Sequence, residues 1–303
     1  MGAPITRGDI NGLLIPILNE VYADYNMVPE LYRDVYAVHS SDMAVEYDME
    51  MRTLGLAQLK QDGGAIASGS MGQAYQSAYI NQYFGISFEI TRGAVKDNQY
   101  KKQFPQHARA MRASLLTVKN MNAMAVFNNA FGVGSTGADG QPLCSTQHPY
   151  TGGVIANTFS NSVQFSEEAL EDAITLIGST WYSNSGLLEV VQPKKLLLPT
   201  ARQFDGIRIT KSAYQPDSAN NAVNALVAGG FLKGGISINP FIVNPYSWFI
   251  LTNYEHGFKY FLREALEIDF MSDYKTYNTT CSALERYVFG YSNFRGVFGS
   301  PGI

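Results

Sequence analysis

Cys144 and His148 stand close together in a loop rich in proline, serine and threonine, and their types suit nucleophilic chemistry. A cysteine nucleophile acts as the thiolate and needs a base and an oxyanion site, commonly at a helix N-terminus. No such site is visible around this loop. The four histidines, His39, His107, His148 and His256, include no pair at i+3 or i+4, which removes the helical metal-binding arrangement. Asp269 and Asp273 have the spacing of one helix face, but no further ligand stands at metal-binding distance from them. The run Gly132-Val133-Gly134-Ser135-Thr136-Gly137 imitates a phosphate loop. It lacks the Gly-Lys-Ser/Thr ending and follows a helical pattern rather than preceding one, so it reads as a helix terminator. No Gly-x-Ser-x-Gly elbow is present. Cys144 and Cys281 lack metal-knuckle spacing and are too few for a disulfide framework. The expectation is no catalytic residue, no cofactor and no metal, with a Cys144/His148 hydrolase kept as the lesser alternative.

One electrostatic feature stands apart. Arg92, Lys96, Lys101, Lys102, Arg109, Arg112 and Lys119 lie in a stretch whose only acid is Asp97. Such a run is usually a solvated helix face. The alternatives are weak, sequence-blind contact with nucleic acid, or pairing with acids of a protein partner. No stacking aromatics interleave the run, which favours the solvated face or the protein contact.

Composition points the same way. Charged residues make up 16% of the 303 and aromatics 13%, with 19 Tyr and 17 Phe. Interfaces favour aromatics and shed charge, so much of this surface is suited to meeting other protein. A net charge of -4 argues against general nucleic-acid binding. The first residues, Met1 to Asp9, show no basic start with an apolar run behind it, and no stretch approaches a membrane span. The expectation is a soluble chain made in the cytoplasm.

The elements that position these residues follow from periodicity. Val45 to Met51 alternates apolar and acidic side chains, which is strand spacing. Residues 60–74 are small and flexible, and Tyr75 to Thr91 is again extended, so the two flanks form a long hairpin around a Gly/Ser/Ala tip. Phe104, Ala108, Met111, Leu115 and Val118 step by four and three and predict a long helix from Gln106 to Phe131, with Pro105 in its first turn or dividing it from a lead-in at 96–103. Ser166 caps a second helix with acids in its first turn. Beyond Pro193, short strands at Lys195–Leu198 and Phe249–Leu251 alternate with helices at Ala201–Thr210 and Asn221–Ala228. Tyr260 to Phe298 is strand-like and aromatic. The fold class is α+β, with one long helix and an extended arm.

The segment Asp139-Gly140-Gln141-Pro142-Leu143-Cys144-Ser145-Thr146-Gln147-His148-Pro149 resembles the DG-x-PL-x-S-x-x-HP segment of Mu-like phage major head subunits. Asn157, the capped run from Ser166 to Glu171, Pro193 to Pro199, Lys211-Ser212, Pro216, Ala219 to Leu226 and Pro245 to Leu251 follow in the same order. The resemblance implies the Hong Kong 97 capsid fold. It assigns an N-terminal arm at 1–50, an extended hairpin loop (E-loop) at 51–92 and a peripheral domain at 93–194 with its spine helix at 106–131. An axial domain at 195–284 and return strands at 285–303 complete it.

The function so implied is the major capsid protein of a tailed bacteriophage, forming hexamers and pentamers of an icosahedral head around the DNA genome. Implied partners are other copies of the chain, scaffold and portal proteins, cement proteins and, weakly, packaged DNA. The implied location is the virion, after assembly in the host cytoplasm. An encapsulin-like compartment shell is the alternative, since it shares the fold.

Overall fold

A computed structural model describes residues 29–303 except 67, 70, 94–99, 133, 215–222, 256 and 277, and only the backbone of 100–105 and 272. Expectations for residues 1–28, the start of the lead-in at 96–99, the strings at Pro216 and Ala219–Ala222, and His256 lie outside the described residues.

In chain order the first strands are β1 (Ala37–Ser40), β2 (Val45–Arg52), β3 (Gly72–Ile80) and β4 (Gln82–Ile90), followed by helix α1 (Tyr100–Asn128). The short strands β5 (His148–Tyr150) and β6 (Gly153–Ile155) precede helix α2 (Glu167–Thr180). Strand β7 (Pro193–Pro199) leads to helices α3 (Gln203–Lys211) and α4 (Ala225–Ala228). Strands β8 (Ile236–Asn239), β9 (Trp248–Thr252), β10 (Phe258–Ser272), β11 (Thr279–Tyr291) and β12 (Val297–Ser300) complete the chain.

These strands form two four-stranded sheets, ordered β1-β10-β11-β4 and β12-β9-β7-β8, and two isolated pairs, β2-β3 and β5-β6. The second sheet carries the apolar runs PKKLLLP and WFILT, and every residue of β9 is buried. A strand covered on both faces has no use for alternation, which is why these runs are continuous. The capped helix α2 lies on this sheet: Leu170, Ala173 and Ile177 pack with Leu196, Leu198, Trp248 and Ile250. Ser166 accepts a hydrogen bond from Ala169 N at 3.1 Å, as its sequence position predicts.

The predicted long helix is present, displaced toward the N-terminus. Pro105 lies inside it, and it ends at Asn128 rather than Phe131. The Ala130 carbonyl accepts from Cys144 N at 2.8 Å and so leaves the helical path. The front half of the helix sets Ala108, Met111 and Leu115 against Ile268, Cys281 and Ala283 of the β10–β11 pair. Its rear half sets Ala123, Met124 and Phe127 into a cluster that takes Tyr260 and Tyr287 from the first sheet and Leu197, Phe249 and Val297 from the second.

Three placements differ from the sequence expectation. The extended stretch 75–91 is two strands: β3 pairs with β2, and β4 pairs with β11. The corner is pinned by Asn81, whose Nδ2 donates to Ser41 Oγ at 2.8 Å and to Met43 O at 2.9 Å. Strands β10 and β11 share their sheet with β1 and β4 beneath α1, while β12 belongs to the second sheet. The chain therefore passes from the second sheet to the first between β9 and β10 and back again between β11 and β12. Local alternation cannot tell which sheet a strand joins, because both sheets use the same residue types. Finally, of the helical run expected at Asn221–Ala228 the described residues form one turn, Ala225–Ala228, started by Asn224, whose Oδ1 accepts from Leu226 N and Val227 N.

Lys119 does not lie on a solvated face. Its ammonium meets Glu285 Oε2 at 2.5 Å, with side-chain exposures of 4% and 1%. It also lies 5.2 Å from the centre of the Tyr287 ring. Burial pushes the Glu285 carboxyl up, and Lys119 pulls it back. Removing one partner of such a pair leaves an uncompensated buried charge. We expect Lys119→Met to cost about 3–5 kcal/mol. The loss should be smaller at pH 5 than at pH 8. A Glu285 carboxyl raised further in the folded variant takes up a proton on folding, so stability falls as pH rises. Chemical denaturation at the two pH values measures both effects.

Candidate functional site

The loop that drew attention for chemistry is a structural knot. His148 is fully buried and stacked on Phe294, ring centres 3.7 Å apart. Its Nδ1 meets Asp139 Oδ2 at 2.5 Å, and its Nε2 donates to Asn157 Oδ1 at 3.0 Å. Asn157 is oriented by three carbonyls: its Nδ2 donates to Leu143 O (2.7 Å), Phe294 O (3.3 Å) and Val297 O (3.2 Å). Its Oδ1 accepts a second hydrogen bond from Ser145 N at 2.8 Å. The Asp-Gly, His-Pro and Asn signals of the sequence thus tie the loop to the end of the chain.

Cys144 belongs to the apolar core beside this knot. Its thiol is pushed well above the ordinary thiol range by burial. Both ring nitrogens of His148 are committed to Asp139 and Asn157, so His148 does not serve Cys144 as a base. Burial likewise pushes the Cys281 thiol up to about 12. The other candidates stay apart: His39 stacks against Phe261, and His107 lies by Phe88. Asp273 caps an exposed turn, accepting from Lys275 N and the Thr276 hydroxyl. Gly134–Gly137 follow the end of α1 and hold no described helix behind them. Among the described residues, no three His, Cys, Asp or Glu groups come together as a metal site.

The β2–β3 hairpin is where structure and surface chemistry diverge. Strand β2 alternates as predicted, yet the faces are reversed from those of an ordinary surface strand. Its acids turn inward: Glu46 accepts from Ser41 Oγ, Asp48 pairs with Lys259, and Glu50 reaches Arg295. Arg295 is fully buried and lies 3.7 Å from Glu50 Oε1 and 3.4 Å from Glu189 Oε2. Glu50 Oε2 also accepts from Asn293 Nδ2 at 2.8 Å. Burial raises the Glu189 carboxyl, while Arg295 lowers it.

A register shift between Met49 and Met51 sets Ala74 and Tyr75 opposite Glu50. A bulge of this kind re-aims a side chain and bends the strand. Here it directs Glu50 to the buried arginine.

The apolar side chains meanwhile face outward. Tyr47 and Met51 on β2 are exposed, as are Leu54, Leu56, Leu59, Ile66 and Met71 between the strands, Leu59 at 95%. A hairpin with an apolar exterior and charged roots buries its hydrophobic surface only against another molecule. The sequence carried the alternation of β2, but nothing local in it marked which face is covered.

Of the basic run, Arg112 and Lys119 are buried and Arg92 and Arg109 are exposed. No helix among the described residues is long and apolar enough to cross a membrane.

Two sheets joined by one long helix, with a hairpin that leaves its apolar side chains exposed, define the class of this fold. The comparisons are consistent with this class. The chain belongs to the phage capsid protein family, whose family model matches residues 74–299. It is a capsid protein, a structural component of the virion.

The fold is the Hong Kong 97 capsid fold. It is similar to that of a protein of Mycobacterium phage Patience (13% identity, TM-score 0.54, covering 99% of this chain and 92% of the other). It is also similar to the procapsid protein of bacteriophage JBD30 (12% identity, TM-score 0.53, 98% and 76%). A third likeness is to a virus-like particle from Pyrococcus furiosus (10% identity, TM-score 0.54, 92% and 95%). No curated protein matches the sequence.

Asn157→Ala strips three buried carbonyls and two donors of their partner, so we expect a loss of at least about 2 kcal/mol in chemical denaturation. Cys144 should resist alkylation by iodoacetamide at pH 8 in the folded chain and react on unfolding, read by mass spectrometry.

Proposed function

We propose that this chain is the major capsid protein of a tailed bacteriophage of the Mu-like head-subunit group, assembling as hexamers and pentamers of an icosahedral head around the genome. The observation that carries this reading is the apolar hairpin exterior on a subunit of the phage capsid protein family. In this reading the expected arm of 1–50 and E-loop of 51–92 meet inside β2, so the N-terminal arm is 1–44 and the E-loop is the hairpin β2–β3 within 45–80. The peripheral part is α1 with β1, β4, β10 and β11. The axial part is built on β7, β8, β9 and β12 with the helices packed there. Ordering of the arm and hairpin is coupled to assembly, because burial that rewards it is available only in the lattice.

Scaffold and portal proteins are the partners during assembly in the host cytoplasm, and cement proteins and packaged DNA are partners of the finished shell. The family match, rather than the fold, favours a phage head over a cargo compartment of the encapsulin kind. The absence of a nucleophile–base pair at Cys144 favours a structural role over hydrolysis.

Expressed with its scaffold, the chain should give closed shells by electron microscopy, and Cys144→Ser should give them too. Small monodisperse oligomers under every condition would overturn the reading. Leu59→Asp, which places a charge on the most exposed apolar side chain of the hairpin, should leave the subunit folded and reduce shell yield at least tenfold. Deleting 63–72 should lower the thermal resistance of any shells that form. Shells of unchanged resistance would count against a role for the hairpin in assembly.

A further inference from the structure

A small cavity lies where the hairpin meets the body, and its chemistry is unspent. It has a volume of about 270 Å³ and is walled by Arg52, Gln73 and Tyr75 on the hairpin side and Pro149, Tyr150 and Asn184 on the body side. Asn184 is 6% exposed, yet neither its Nδ2 nor its Oδ1 has a hydrogen-bond partner among the described residues. A buried amide left unpaired on both atoms is uncommon, because each unmet group carries its desolvation cost.

The walls around it are built. Tyr150 stacks on Tyr182 with ring centres 5.5 Å apart and planes 8° from parallel. Tyr75 donates its hydroxyl to Pro149 O at 3.2 Å. At the mouth, Arg52 is exposed, and no carboxylate among the described residues pairs with it.

The groups offered are one donor and one acceptor from Asn184, and a planar cationic fork from Arg52. A single peptide unit supplies the matching acceptor and donor, and a carboxylate matches the fork in bidentate geometry. A phosphodiester would satisfy Arg52 but, having no O–H, would leave the Asn184 oxygen without a donor. We propose that this cavity binds an extended acidic peptide segment of a protein partner, with one backbone amide on Asn184 and a carboxylate on Arg52. Because its walls come from both the hairpin and the body, a bound segment bridges the two at the bulge opposite Glu50. The proposal concerns the single subunit and holds whether or not a given preparation forms shells.

The test uses the intact, unassembled chain labelled with ¹⁵N at asparagine. The probes are acetyl-Ala-Asp-Ala-amide and its uncharged counterpart acetyl-Ala-Asn-Ala-amide. The acidic peptide should shift the Asn184 side-chain amide resonance saturably and bind more tightly than the uncharged one. R52Q should weaken the acidic peptide at least tenfold and erase the preference, and N184L should abolish binding. Arg52 is exposed and unpaired, so R52Q keeps the test decisive even if N184L does not fold. No saturable shift, equal binding of the two peptides, or an unchanged affinity in R52Q would each overturn the proposal.

Discussion

Phe127 is the point on which the two layers of this subunit turn. From the rear half of α1 it packs on Phe258 of the first sheet, with ring centres 4.7 Å apart, and on Phe249 of the second, at 5.2 Å. Tyr36 joins the same cluster and donates its hydroxyl to the Ala123 carbonyl at 2.7 Å. Two separate strand ladders are thereby held at one aromatic junction on one helix. Aromatic side chains suit this position, because each buries a large area in few rotamers, and Phe127 meets Phe249 edge to face and Phe258 at a tilt. Everything outside this junction is positioned relative to it: the knot at His148 closes the end of the chain over the second sheet, and the β10–β11 pair runs out from it beneath α1.

The charged groups have a consistent place in this scheme. Few in number, several of them are buried or half-buried at contacts between elements distant in sequence: Lys119 with Glu285, Arg295 with Glu50 and Glu189, and Lys259 with Asp48. Buried pairs contribute little net stability against apolar replacements, but a broken one is costly. Their effect here is to make one arrangement of the hairpin root much better than its alternatives. That leaves the outer surface short of charge and rich in exposed apolar side chains, a composition suited to contact with other protein. The hairpin is the extreme case, with its acids spent on the root and its leucines and methionines facing out.

Much of the architecture was legible because it depends on local spacing. The step of four and three along Ala108, Met111 and Leu115 marked α1, the capping Ser166 marked α2, and continuous apolar runs marked β7 and β9. The reading failed where partners are chosen at long range. Nothing in residues 75–91 indicates that Asn81 divides two strands, since the signal is a buried amide bonded to Ser41 and Met43. The knot was visible as Asp139, His148 and Asn157 in a motif, but its role was not, because the residues it ties down, Phe294 and Val297, lie at the far end of the chain.

The sequence by itself determined the class of protein: low charge, abundant aromatics, an extended arm, one long helix and an ordered set of short motifs. These are properties of composition and period, which no tertiary contact can alter. Only the tertiary structure decided which sheet each strand joins, which faces of β2 are covered, and that Lys119 is buried rather than solvated. Those outcomes depend on which distant groups meet across the junction at Phe127, and alternation along a strand reads the same whichever face is turned inward.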